Sequence, residues 1–171
     1  VIAMNSIISS GLDKTGGLQM DEDIISYLRK NYGIVLSQAA AETAKMRIGA
    51  AVKEEEILTM DIQGQDQITG LPRTVTISSE DMVDALQESL QGVVKLVKKV
   101  LEKTPPELVS DIMDRGVALT GGGTYLRGID RYLTRQLGIP AYLVDNPRTC
   151  TALGAAKALT MLDELKRSVK R

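Results

Sequence analysis

GVALTGGGTYLRGIDRYL, residues 116–133, sets an apolar run, three consecutive glycines and a helically spaced segment side by side. A tight turn needs one or two glycines. Three at one corner, Gly121, Gly122 and Gly123, admit two readings. In the first the corner joins a strand to a helix, and the missing Cβ atoms let elements pack closely. In the second a flat ligand lies against the bare backbone, beside the free N–H groups of the following helix. No Lys-Ser or Lys-Thr pair follows, so this is not a Walker phosphate loop, and the spacing differs from the dinucleotide fingerprint.

Outward from this corner the pattern alternates. GVALT reads as a buried strand and IPAYLVD as another strand, TYLRGIDRYLTRQLG as a helix after the glycines, and PRTCTALGAAKALTMLDELKR as a final helix. Upstream, Pro106 opens a short helix running to Asp114. The longest helix starts at a capping box, Ser78 with Asp81. Its stripe of Met82, Leu86, Leu90, Val93, Val97 and Val100 is expected to pack on the sheet formed by GVALT and AYLVD. ILTMDIQGQ alternates in the manner of a strand, with LPRTVTIS as its partner and GQDQITG as the tip between them. Ser37 caps an alanine-rich helix, and Ile24, Ile25 and Leu28 predict a helix from Asp21 to near Gly33. VIAM and IISS read as a hairpin that begins in mid-pattern, which suggests a fragment. The later half alternates helix and strand as parallel α/β sheets do. The expected division is an opening hairpin at 1–17, an inserted α+β subdomain at 18–78, and the remainder at 79–171.

Composition excludes several chemistries. With 21 Lys plus Arg against 22 Asp plus Glu, the chain has no bulk basic field for nucleic acid. It has no histidine and one cysteine, Cys150, so histidine triads, histidine metal sites and an internal disulfide are ruled out. The single thiol fits a reducing compartment. The sequence offers no metal site, and no convincing catalytic residue; Asp21, Asp23 and Asp114 read as cap or surface carboxylates. No apolar run is long enough to span a membrane. The basic end KRSVKR reads as a solvated tail or a contact for a membrane or partner.

A second constellation is AETAKMRIG, residues 41–49. Glu42 and Lys45 stand one turn apart with Gly49 a further turn along. They form either a surface ion pair or a ligand edge: Glu42 accepts from ribose hydroxyls, the Lys45 stem covers a base, and Gly49 leaves room for the ring.

The two constellations together, with GGLQMDEDIISYLRKNYG, GLPRTVTISSEDMVDALQESL, VLEKTPPELVSDIMDRGVALTGGGTYLRGID and GIPAYLVDNPRTCTALGAAKAL, span nearly the whole chain. On these segments the chain resembles the C-terminal half of the MreB/Mbl rod-shape proteins, bacterial members of the actin–Hsp70–sugar kinase superfamily. The resemblance implies an α/β, actin-like (ribonuclease H-like) ATPase fold with an inserted α+β subdomain. It also implies that the N-terminal half, the phosphate loops and a central sheet strand lie upstream of Val1. Glu42, Thr43, Ala44, Lys45 and Gly49 would then face Gly121, Gly122, Gly123 and Thr124 across a cleft holding the adenosine of ATP. Magnesium would be held mainly by residues outside this chain. Relatives usually carry an acidic residue directly after the first Gly-Gly pair, where this chain has Leu18.

By the same resemblance the whole protein is a cytoplasmic, membrane-associated filament that maintains rod shape by organising cell-wall synthesis. ATP hydrolysis would be slow and linked to the polymer. The implied partners are further copies of itself, cell-wall elongation and membrane-anchored morphogenesis proteins, and the membrane surface, with no nucleic acid. Two alternatives are a phosphotransferase of the sugar-kinase branch and a nucleotide-free interaction module.

Overall fold

The computed structural model describes residues 1–4 and 6–162, from the hairpin of β1 (Ile2–Ala3) and β2 (Ser6–Ile7) onward. Helix α1 (Gly17–Tyr32) starts four residues before the apolar spacing begins and ends at Gly33, whose φ of 66° supplies the left-handed stop. A two-residue strand, β3 (Ile34–Val35), then leads to α2 (Gln38–Ile48). Ser37 caps α2 as expected, its hydroxyl accepting from the Ala40 N–H at 3.3 Å.

Strands β4 (Thr59–Asp66) and β5 (Pro72–Ser78) pair antiparallel, with Ile62 opposite Val75 and Met60 opposite Ile77 on the core face. Strand β3 pairs with β4 next to the tip and completes a three-stranded sheet in the order β3-β4-β5. The Asp66 carboxylate organises the tip. It accepts from the Thr69 and Ile68 N–H groups and the Thr69 hydroxyl at 2.9–3.0 Å and pairs with Arg73. These bonds, the Thr69 N–H foremost, hold its carboxyl down at about 2.

Helix α3 (Ser79–Glu102) is 24 residues long and opens on a complete capping box. Asp81 accepts from the Ser78 N–H and hydroxyl at 2.8 and 2.7 Å, and from the Tyr32 and Tyr27 hydroxyls at 2.9 and 3.4 Å. Burial alone would raise the Asp81 carboxyl, and these four donors outweigh it and hold the group below its usual value. Burial raises the Tyr32 phenol most, and with the bond to Asp81 pushes it up to about 12. Met82, Leu86 and Leu90 are sealed from solvent, while Val93, Val97 and Val100 are half-buried and Val94 takes a core position. The stripe packs chiefly on α1, with lesser contacts to α2, β5 and α5, rather than on the sheet expected from the sequence. The physical reason is that α1 offers Ile24 and Leu28, both fully buried, as the facing surface.

After α4 (Pro106–Arg115), β6 (Val117–Leu119) and β7 (Ala141–Leu143) pair in parallel, joined through α5 (Ile129–Leu137). The glycines do not run straight into that helix. A 3₁₀ turn (Gly122–Tyr125) intervenes, and α5 waits for the left-handed Gly128. The hairpin β1–β2 and the pair β6–β7 form separate sheets. Helix α6 (Cys150–Thr160) carries the final helical pattern; the stretch from 163 onward, with the basic tail, lies outside the described residues.

Candidate functional site

Helix α2 turns Ala41, Ala44 and Ile48 into the core. Ala44 is fully buried and cannot touch a ligand, which removes it from the expected set. Glu42, Thr43 and Met46 lie on the solvent side. Of the two readings of Glu42 and Lys45, the surface ion pair is absent among the described residues. The Lys45 ammonium instead donates to Asp21 Oδ1 at 2.6 Å and to the Gly17 carbonyl at 2.8 Å. Asp21 is no surface carboxylate: its side chain is 2% exposed and Lys45 is its ion-pair partner. Leu18 is exposed and takes no part in this pair, whose acceptors are the Gly17 carbonyl and Asp21.

The glycine corner is open. Gly121 has φ 89° and ψ 174°, a conformation essentially reserved for glycine, and its N–H donates to the Pro147 carbonyl at 2.8 Å. A Cβ added at Gly121, Gly122 or Gly123 would meet no protein atom within 4 Å. Thr124 closes the turn from beneath, its hydroxyl donating to the Gly121 carbonyl at 2.7 Å, and is nearly buried. So Thr124 shapes the loop, and the bare backbone ahead of it is what faces outward.

Gly49 behaves in the opposite way. A Cβ there would lie 2.1 Å from the Lys45 carbonyl oxygen and 2.9 Å from Leu126 Cδ1. The space expected for a ring is filled by the protein itself. Here α2 meets the segment leaving the glycine loop: Ala50 and Arg127 form a parallel bridge, with the Ala51 N–H donating to the Arg127 carbonyl at 2.8 Å. Gly128, at φ 71°, faces Val52 as closely, its added Cβ falling 2.5 Å from Cγ2. One glycine on each side thus permits the contact.

The α2 helix and the glycine corner, expected on opposite walls of one cleft, are fastened at one end by this bridge. A polar cavity of about 350 Å³ lies elsewhere, lined by Lys14, Thr15, Gln19, Asp23, Glu88 and Ser89. It shares no residue with α2 or the glycines, and the Ser89 hydroxyl on its wall already donates to Asp23.

The family model described as MreB/Mbl protein matches residues 1–167. The chain belongs to the MreB/Mbl family. It is 44% identical over 163 residues to the cell shape-determining protein MreB of Escherichia coli K12, covering 95% of this chain and 47% of that protein. It is 38% identical over 171 residues to the cell shape-determining protein Mbl of Bacillus cereus, covering all of this chain and 51% of that one. The chain therefore spans about half the length of the curated relatives it matches. Among solved structures, MreB5 of Spiroplasma citri bound to AMPPNP superposes with a TM-score of 0.89 at 34% identity, over 93% of this chain and 48% of that one. The MamK double helical filament shares the fold at a TM-score of 0.66 and 18% identity, over 80% of this chain and 41% of that one. The fold is the actin-like α/β fold.

Within this MreB/Mbl chain the structure adds contacts that sequence reading did not anticipate. Asp21 lies 24 positions from Lys45, and nothing in the spacing announces the pair. Arg127 binds the carbonyls of Ile48 and Gly49 at 3.2 and 3.3 Å and pairs with Glu54 at 3.4 Å. The sequence carried no signal for it: a glycine at the end of α2 suggests a left-handed cap, whereas Gly49 has φ −59° and leaves carbonyls that need a donor.

Proposed function

We propose that this chain supplies the nucleoside side of an ATP site in an actin-like, cell-shape-determining filament protein. The observation that carries the proposal is the open backbone of Gly121–Gly123, where a planar group would meet no side chain. Glu42 supports it from α2: its carboxylate is exposed and makes no ion pair among the described residues, so it remains available to ribose hydroxyls. Family membership supports it too, together with the AMPPNP and ADP found in MreB5 of Spiroplasma citri. Lys45 contributes by its aliphatic stem, since its ammonium is held by Asp21 and the Gly17 carbonyl. The residues present fit adenosine. Phosphates and magnesium fall to parts of the whole protein beyond this chain.

The division into an opening hairpin (1–17), an inserted subdomain (18–78) and a remainder (79–171) belongs to the same reading. So do self-assembly into membrane-associated filaments in the cytoplasm, contacts with cell-wall elongation proteins, and organisation of wall synthesis. The test is equilibrium titration of the whole protein with ATP, followed by sedimentation with and without nucleotide. Saturable ATP binding that changes the pelleted fraction is expected. A whole protein that pellets identically and binds no ATP would be a nucleotide-free module. Transfer of the terminal phosphate to a small hydroxylated acceptor would mark a kinase.

A further inference from the structure

The contact between α2 and the glycine-loop exit combines a main-chain bridge between Ala50 and Arg127 with the Arg127 side chain. All three guanidinium nitrogens of Arg127 are engaged. Nε donates to the Gly49 carbonyl at 3.3 Å, one terminal nitrogen donates to the Ile48 carbonyl at 3.2 Å, and the other pairs with Glu54 at 3.4 Å. Its main chain completes the fastening through the Ala51 N–H at 2.8 Å and its own N–H to Gly49 at 3.4 Å. Glu54 is itself fixed by Arg131 on α5. The cation sits at the C-terminal end of α2, where unpaired carbonyls and the helix dipole favour it.

We propose that Arg127 is a positioning residue of the nucleotide site: it sets the gap between α2, which carries Glu42, and the glycine loop. The proposal rests on the nucleotide reading above. Arg127 itself does not touch the ligand. Leu126, immediately before it, ends the 3₁₀ turn and bonds back to the Gly123 carbonyl at 3.2 Å, so a shift at Arg127 is passed directly to the loop. Glu42 lies seven residues before Gly49, about 10 Å up the helix. A small rotation of α2 about the Arg127 contact therefore moves Glu42 away from a ribose by more than a hydrogen bond tolerates. Lysine cannot replace the fork, because a single ammonium does not reach three acceptors with fixed geometry.

The experiment uses the whole protein and the variants Arg127→Ala, Arg127→Lys and Glu54→Gln, each titrated with ATP and with inorganic tripolyphosphate well below its melting temperature. Arg127→Ala is expected to raise the Kd for ATP about tenfold while leaving the Kd for tripolyphosphate unchanged. Arg127→Lys should recover only part of the loss, and Glu54→Gln, which still packs, should act in the same direction by less. The ratio of the two Kd values is the decisive readout, since a role confined to fold stability lowers the melting temperature without moving it. An unaltered protein that binds ATP, with folded variants that bind it equally well, overturns this proposal alone. Equal weakening toward ATP and tripolyphosphate also overturns it. No ATP binding by the unaltered protein overturns the nucleotide reading and this proposal together.

Discussion

Two glycines, Gly49 and Gly122, should respond to substitution in opposite ways, and the difference follows from what a Cβ would meet. At Gly122 it meets nothing within 4 Å, and the backbone is outside the left-handed region. Gly122→Ala should therefore leave the fold unharmed or stabilise it by about 0.4–1 kcal/mol through the unfolded chain. Gly122→Val places a branched side chain where the nucleotide would lie, and should weaken ATP binding at least about tenfold, about 1.4 kcal/mol. At Gly49 the new carbon falls 2.1 Å from a backbone carbonyl oxygen that α2 cannot move cheaply. Gly49→Ala should then cost about 1–3 kcal/mol of stability by overpacking and lower the melting temperature. The assay is a thermal melt and an ATP titration of the whole protein for each variant. Gly122→Val that folds and binds ATP with unchanged affinity would refute the placement of the ligand. Gly49→Ala that melts with the unaltered protein would refute the packing account.

Leu90, 1% exposed beneath α1, should cost about 2–5 kcal/mol when cut to alanine; a loss below about 0.5 kcal/mol in a denaturant titration would place the stripe at the surface. Lys45→Met strips the buried Asp21 of its cation, and about 3–5 kcal/mol should be lost. A melting temperature that stays put would show that Asp21 finds another partner. Tyr32 has its phenol raised above the unfolded value of about 10 to about 12, so its contribution is complete below about pH 10 and disappears as pH climbs towards 12. The melting-temperature gap between the unaltered protein and Tyr32→Phe should therefore narrow across that window, and a constant gap would dissociate the phenol from the Asp81 network.

Local chemistry was legible where one short segment carries the whole signal. The Ser78 and Asp81 capping box, the apolar spacing of α3 and the alternation of β4 and β5 all describe what the chain does within a few residues. Strand β3 escaped notice because two residues have no period; it exists by pairing Ile34 and Val35 with Asp66 and Gln65. The early start of α1 was hidden for a similar reason, Leu18 being exposed and outside the apolar face. The start of α5 was misplaced because Gly128 looks like any helical glycine until its positive φ and its contact with Val52 are seen. At the site, the three glycines present an open backbone, which the sequence left undecided between close packing and a bound ligand. The partner of Lys45 was not legible, because Asp21 is distant in sequence. The crowding at Gly49 was hidden because it comes from the Lys45 carbonyl of its own helix as well as from the distant Leu126.

Helix α3 converts angle into distance. Its 24 residues form a rod about 36 Å long, hinged at the Ser78 end by hydroxyls from the last turns of α1. A tilt of about 5° there swings the far end by about 3 Å over such a length. That end is where Thr104, nearly sealed from solvent, meets the Ser9 hydroxyl at 2.7 Å, after giving its own proton to the Val100 carbonyl. A displacement of this size breaks that bond outright. The Ser9–Thr104 pair is therefore a natural gauge: a probe of it reads the tilt of α3 from the opposite end of the lever.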